Sequence, residues 1–347
     1  MKNWFPLFLL VIIVGSSCKK EDELRPIETK EQWVEHPNFT GRNKIQLNCK
    51  AFGDTMYSAG LGYYSVFIKG SETKNYITSS NSFGVFQKPP ISKDVYVQWF
   101  QNWLYFKSGD LSNGLDLSVD MKKIDSTFYQ MEFVSYRANE CILINDKNQV
   151  LVAYRGYNQE KRAIKFVLIS IDIWGGYDFK LIEAQSSGLS LLCWSVVEGH
   201  FFVSNSESTY KITSDGDSYL VSNRVLYRMF KVDDTIWSIA NDGMVFYSNN
   251  SGDSWQQFGD QGNMNWAYLY FNECNGNIVA HYQSQIYLFN QSKNNAGETI
   301  ISIRELDNEG LEGNEITSIS YFDNEYYVTT FSGVFSKSEE NFFTYVE

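Results

Sequence analysis

Ile236–Phe258, IWSIANDGMVFYSNNSGDSWQQF, carries two apolar alternating runs on either side of Asn-Asp-Gly, followed by a polar loop that ends on tryptophan. The alternation predicts a strand over Ile236–Ala240, a turn at Asn241-Asp242-Gly243, a second strand over Met244–Ser248 and a third opening at Trp255. Asp-Gly between such runs is a strong hairpin signal, because a type I′ turn needs positive φ at both central positions. The expectation is therefore a β-meander with a type I′ turn at Asp242-Gly243. The loop after it has a chemistry of its own. Asn250 is short enough to accept hydrogen bonds from nearby backbone N–H groups, Gly252 can turn left-handed, and Trp255 can lay its ring beside the next sheet.

Strand-like alternation recurs along the chain, at Tyr63–Ile68, Tyr96–Phe106, Gln149–Arg155, His200–Ser204 and Tyr326–Thr330, and no segment holds a helical period. Aromatic residues make up 16% of the chain, with 23 Tyr and 25 Phe, a composition that favours strands. The last residues of the expected second strands are Tyr154, Ser204, Ala240, His281 and Thr330, at intervals of 50, 36, 41 and 49. Such spacing matches propeller blades. Dividing the roughly 304 residues of Lys44–Glu347 by a period in the low forties predicts an all-β, single β-propeller of seven four-stranded blades; six and eight fit nearly as well. A ring must close its sheet edge. The residues around Ile45–Lys50 are expected to complete the blade that contains Tyr321–Val346.

Ser248, Asn250, Gly252, Ser254 and Trp255 resemble the Asp-box of sialidase-like β-propellers, Ser-x-Asp-x-Gly-x-Thr-Trp, with Asn250 in the Asp position and Ser254 in the Thr position. Ser214–Tyr219, Asn290–Ser292 and Ser336–Glu340 look like shortened or eroded copies. In the resembled family the box is a structural clasp on the face opposite the active site. That places candidate binding residues on the other face, where second strands turn into third strands: Arg155, Tyr157, Asn205, Glu207, Asn241, Asp242, His281, Tyr282, Gln283 and Phe331. Aromatic rings and amides together suit recognition of a glycan or a protein.

The N-terminus carries an address. Met1–Ser17 has a basic Lys2, an apolar run Phe5–Val14 too short to span a bilayer, and small residues before Cys18. It resembles a bacterial lipoprotein signal in which Cys18 is acylated, with Gly15 departing from the usual large aliphatic. Lys19-Lys20-Glu21-Asp22-Glu23 looks like the signal that places lipoproteins of Bacteroidetes-type bacteria on the outer face of the outer membrane. Residues 18–43 read as a lipidated cysteine with a charged tether and residues 44–347 as the propeller. The membrane is thus expected to be met only through the lipid.

Other chemistries find little footing. A net charge of −12 and a pI near 4.9 argue against nucleic acid and anionic surfaces as partners. With three histidines and no Cys-x-x-Cys, neither a metal nor a cofactor is expected. The widely spaced Cys49, Cys141, Cys193 and Cys274 are expected as buried free thiols. Sialidases of this fold carry an early Arg-Ile-Pro and three arginines that clamp a carboxylate; this chain lacks the motif and has only eight arginines. The leading expectation is a non-catalytic surface binding module. The alternatives are a glycoside hydrolase of the sialidase-like propeller class and a scaffold subunit of an outer-membrane assembly.

Overall fold

The structure, a computed structural model, describes residues 31–37, 39, 44–60, 63–71, 74–77, 95–108, 116–132, 142–157, 164–172, 176–182, 193–259 and 263–346. The proposed signal segment, Cys18 and Cys141 lie outside the described residues. Among those described, the strands form seven antiparallel sheets.

The first strand is β1 (Val34–Glu35). β2 (Gln46–Phe52), β3 (Thr55–Gly60), β4 (Tyr63–Ile68) and β5 (Lys74–Ile77) then pair in order. β6 (Val95–Phe100), β7 (Trp103–Ser108) and β8 (Asp116–Asp120) follow, with a single helical turn α1 (Met121–Ile124) behind them. β9 (Phe128–Met131) and β10 (Ile142–Ile144) both pair with the same edge of β11 (Gln149–Gly156), which is followed by β12 (Ile164–Ile171) and β13 (Tyr177–Ile182). Two regular four-stranded sheets come next: β14 (Cys193–Val197), β15 (His200–Ser204), β16 (Thr209–Ile212) and β17 (Ser218–Ser222), then β18 (Leu226–Val232), β19 (Thr235–Ala240), β20 (Val245–Ser248) and β21 (Gln256–Gln257). β22 (Tyr270–Cys274), β23 (Asn277–Tyr282), β24 (Gln285–Lys293) and β25 (Thr299–Glu305) form another. The last sheet holds β26 (Ile316–Phe322), β27 (Glu325–Thr330) and β28 (Val334–Ser338), capped by a short helix α2 (Glu339–Phe342).

First strands adjoin one another in the order β10, β14, β18, β22, β26, β2, so that the last sheet meets the first around a ring. This is an all-β β-propeller. The second strands end at Gly156, Ser204, Ala240, Tyr282 and Thr330, within two residues of the positions expected from spacing. Alternating apolar residues fill the spaces between sheets, as where Leu151, Ala153, Phe166 and Leu168 pack with Trp194, Phe201 and Val203.

The ring closes elsewhere than expected. β1 pairs with β28, Val34 opposite Ser336 and Glu35 opposite Phe335, whereas Gln46–Phe52 opens the next sheet. The reason lies in residues that composition assigns to the tether. Trp33 is 4% exposed, packs edge-on to Phe342 and lies against Gly310, where a Cβ would come within 2.7 Å of the Trp33 carbonyl oxygen. Phe39, 1% exposed, stacks on Phe67. The compact unit accordingly starts at Gln32.

The turn chemistry also differs from expectation. Asp242-Gly243 is not type I′, because only Gly243 has a positive φ, +80°. Gly243 N donates to Ala240 O at 2.9 Å and Ala240 N to Met244 O at 2.8 Å, which makes a three-residue loop with left-handed glycine last. Paired positive φ values occur instead between first and second strands, at Glu198-Gly199, Asn275-Gly276 and Asp323-Asn324. The run Tyr96–Phe106 is two strands, broken at Gln101 with φ +55°. Asn290–Ser292 lies inside β24 and Ser336–Glu340 runs from β28 into α2, so neither is a loop of the box kind.

Candidate functional site

The loop after β20 is held by its own side chains. Asn250 Oδ1 accepts from Ser248 Oγ at 2.8 Å and from Ser254 N at 3.1 Å, Asn250 Nδ2 donates to Ser254 Oγ at 3.0 Å, and Gly252 N donates to Ser248 Oγ at 2.9 Å. Gly252 has φ +80°, and a Cβ there would sit 2.4 Å from Phe202 of the preceding sheet. Trp255 stands edge-on to the same Phe202 ring, 6.2 Å away. The buried Lys211 reaches across from β16 to Ser251 O at 2.9 Å and Asp253 at 2.7 Å. Every polar contact of this loop is spent on ordering it and joining two sheets, which is a structural task.

The opposite rim carries the accessible chemistry. All ten residues expected there do lie at or near the ends of second strands, but they divide into two groups. Asn205 is buried, and its Oδ1 accepts from Glu207 N, Ser208 N and Ser208 Oγ to cap its own turn. His281 is buried, stacked on Tyr270 and within 3.1 Å of Asn272 Nδ2. Arg155 grips Glu132 with two bonds of 2.5 and 2.7 Å, and Asp242 pairs with Arg224 at 3.0 Å. These side chains shape the rim more than they offer it. Tyr157, Phe331, Asn241, Glu207 and Gln283 are exposed, the last engaged through its main-chain carbonyl, which accepts from Ile316 N, and Tyr282 is half-buried.

Tyr157 has a neighbour that the sequence did not announce. Its ring lies 6.3 Å from that of Tyr129 on β9, and the two are 62% and 45% exposed. Tyr129 borders an open groove of about 420 Å³, lined by Trp99, Gln101, Asn102, Lys122, Gln130 and Met131. Asn102 is set by donating to Asp120 at 2.6 Å and by its carbonyl accepting from Met121 N. A similar pairing recurs three sheets on, where Tyr268, 53% exposed, lies 5.7 Å from Tyr282.

Beneath the first pair, β9 is locked down by a buried charge. Asp125 accepts from Tyr154 OH at 2.8 Å, Lys165 Nζ at 2.9 Å, and Thr127 N and Oγ1 at 2.8 and 2.7 Å. Burial works to raise the Asp125 pKa, but these four donors outweigh it and hold the carboxyl well below the usual range. Burial and the adjoining carboxylate push the Tyr154 hydroxyl far upward. Neither group is poised to exchange protons near neutrality. The remaining described arginines are likewise engaged, Arg228 over the face of Tyr270 and Arg304 over Tyr345.

The signals that sequence reasoning passed over were weak. Tyr129 sits on a first strand split into β9 and β10, so no single alternating run marks it, and Gln101-Asn102 hid inside a run that looked continuous.

No family profile and no curated protein matches the chain. Among solved structures, the chain is similar to a streptogramin B lyase (TM-score 0.55, 9% identity, 88% of this chain and 96% of that one). It is similar also to a catalytically inactive virginiamycin B lyase from Staphylococcus aureus with quinupristin (0.56, 10%, 88% and 97%) and to the WD40 β-propeller domain of Doa1 (0.51, 14%, 89% and 99%). Likeness at these identities extends to the fold alone.

Proposed function

We propose that this chain is a non-catalytic binding module that recognises a glycan through the rim at which second strands end. The observation that carries this reading is the exposed Tyr129–Tyr157 pair at the lip of a groove furnished with Gln101, Asn102 and Gln130. Tyrosine rings stack on the apolar faces of sugars while amides exchange hydrogen bonds with hydroxyls, and such sites join broad apolar contact to a few placed polar groups. The ion pairs Arg155–Glu132 and Lys165–Asp125 nearby are internally neutralised, and Lys122 is the one charged side chain among the described residues that line the groove, so most of the lining is aromatic, amide or apolar. In this reading the seven sheets are seven blades, the box-like loop is an eroded Asp-box, and Cys18 carries the lipid that holds the module on the outer face of an outer membrane.

A glycan array probed with the purified protein, with released sugar assayed in the same wells, tests the proposal. Binding without release is expected, and Tyr157→Ala or Tyr129→Ala should each weaken it by about 1–2 kcal/mol, roughly 5–30-fold. Release of sugar would favour the hydrolase. Silence in both assays would favour a scaffold with a protein partner.

A further inference from the structure

The outer strand β13, Tyr177-Asp178-Phe179-Lys180-Leu181-Ile182, pairs with β12 through an unbroken register from Tyr177 opposite Ile171 to Ile182 opposite Phe166. Among the described residues no strand pairs with its other edge. Tyr177, Phe179 and Leu181 project from one face of this strand and are 40%, 42% and 44% exposed. Long, regular, apolar edge strands are templates for a further strand, and natural sheets normally blunt them with bulges, proline or inward-pointing charge. β13 has neither bulge nor proline.

Its charges say which strand fits. Asp178 and Lys180 flank Phe179 symmetrically, so an antiparallel copy of the same strand centred on Phe179 sets Asp178 opposite Lys180 of the partner subunit, and Lys180 opposite the partner's Asp178. Tyr177 then faces the partner's Leu181, and the six exposed apolar side chains form one stripe across both strands. Moving the centre to Lys180 or to Asp178 places like charges on the axis, and a one-residue slip turns the apolar row against the polar face. We propose that β13 is a homodimer edge, with two copies of this chain pairing antiparallel about a two-fold axis through Phe179. On association the Phe179 N–H, now satisfied by Asp178 Oδ1 at 2.8 Å, exchanges that bond for the partner's backbone carbonyl, and Asp178 is released to the partner's Lys180. Lys180 keeps its bonds to Asp217 and Asp215 O within its own subunit. An interface of two short strands falls in the small, weakly associating class.

Sedimentation velocity of the purified full chain over a concentration series should show a reversible monomer–dimer equilibrium. Asp178→Lys sets lysine against lysine twice and should weaken the dimer about tenfold, and the double swap Asp178→Lys with Lys180→Asp should restore it to within about threefold. Phe179→Asp should abolish association. Equal melting temperatures for wild type, Asp178→Lys and Phe179→Asp would show that these exposed substitutions leave the fold intact, while the double swap, which also removes the Lys180–Asp217 pair inside the subunit, should still unfold in a single cooperative transition only slightly lower. A wild-type chain that remains monomeric throughout would overturn the proposal, and so would a double swap that associates no better than Asp178→Lys.

Discussion

Gly252 sits where backbone and packing make the same demand. Its φ of +80° disfavours any side chain, and a Cβ would strike the Phe202 ring at 2.4 Å. Gly252→Ala is therefore expected to destabilise the protein by about 2–4 kcal/mol, measured as a lower urea midpoint with an unchanged slope. Asn250→Asp should be close to neutral by the same measurement, since a carboxylate can accept from Ser248 Oγ, Ser254 N and Ser254 Oγ in the positions the amide now fills. Asp125 gives a pH-dependent counterpart. Its folded pKa lies below the ordinary value, so its contribution is fully present above the ordinary Asp range and is lost as pH falls through that range toward the folded value. Asp125→Asn should cost about 1–3 kcal/mol at neutral pH, and denaturant titrations should show the gap to wild type closing as the solution is acidified below about pH 4. Among the cysteines, burial raises Cys49 to about 12, in keeping with an inert thiol.

At the scale of elements, legibility followed local physics. β15, β19 and β27 end on the residues that alternation and spacing picked out, because each is bounded by a turn whose side chains, such as Asn205 and Asp242, hydrogen-bond their own backbone. The turn type at Asp242-Gly243 escapes the dipeptide for a related reason. Asp-Gly serves either a two-residue loop or the end of a three-residue one, and the choice is made by the register of β19 on β20. Split strands fared worse. β9 and β10 share one edge of β11, and what holds β9 in place is the Asp125 network, whose members Tyr154 and Lys165 lie 29 and 40 residues away in sequence. No local pattern announces such a contact, and the Tyr129–Tyr157 pair that depends on it was half hidden. Tyr154→Phe removes one donor to Asp125 while keeping the ring, and should loosen β9 by about 1 kcal/mol, visible as faster amide exchange at Phe128–Met131 with little change elsewhere.

The whole molecule was legible as a propeller because repetition survives sequence erosion: one blade pattern is written several times, and a few clear copies suffice to phase the rest. Closure was not legible. The two residues of β1 carry no periodic signal, and their placement rests on Trp33 and Phe39 finding cavities made by residues near the other end of the chain and by β4. A chain truncated to begin at Lys44 should melt roughly 5–15 °C lower, in a broader transition, because the last sheet loses its outer strand and its edge opens.

That clasp also decides how the molecule bears load. Any pull on the segment before Gln32 runs into β1, and through two residues of pairing into β28 and the C-terminal sheet, before the other sheets feel it. The ring thus has a mechanical fuse at its seam. Tension there would peel Val34–Glu35 and draw Trp33 from its pocket while the sheets beyond the seam stay folded, and the strand would reseal when the force drops.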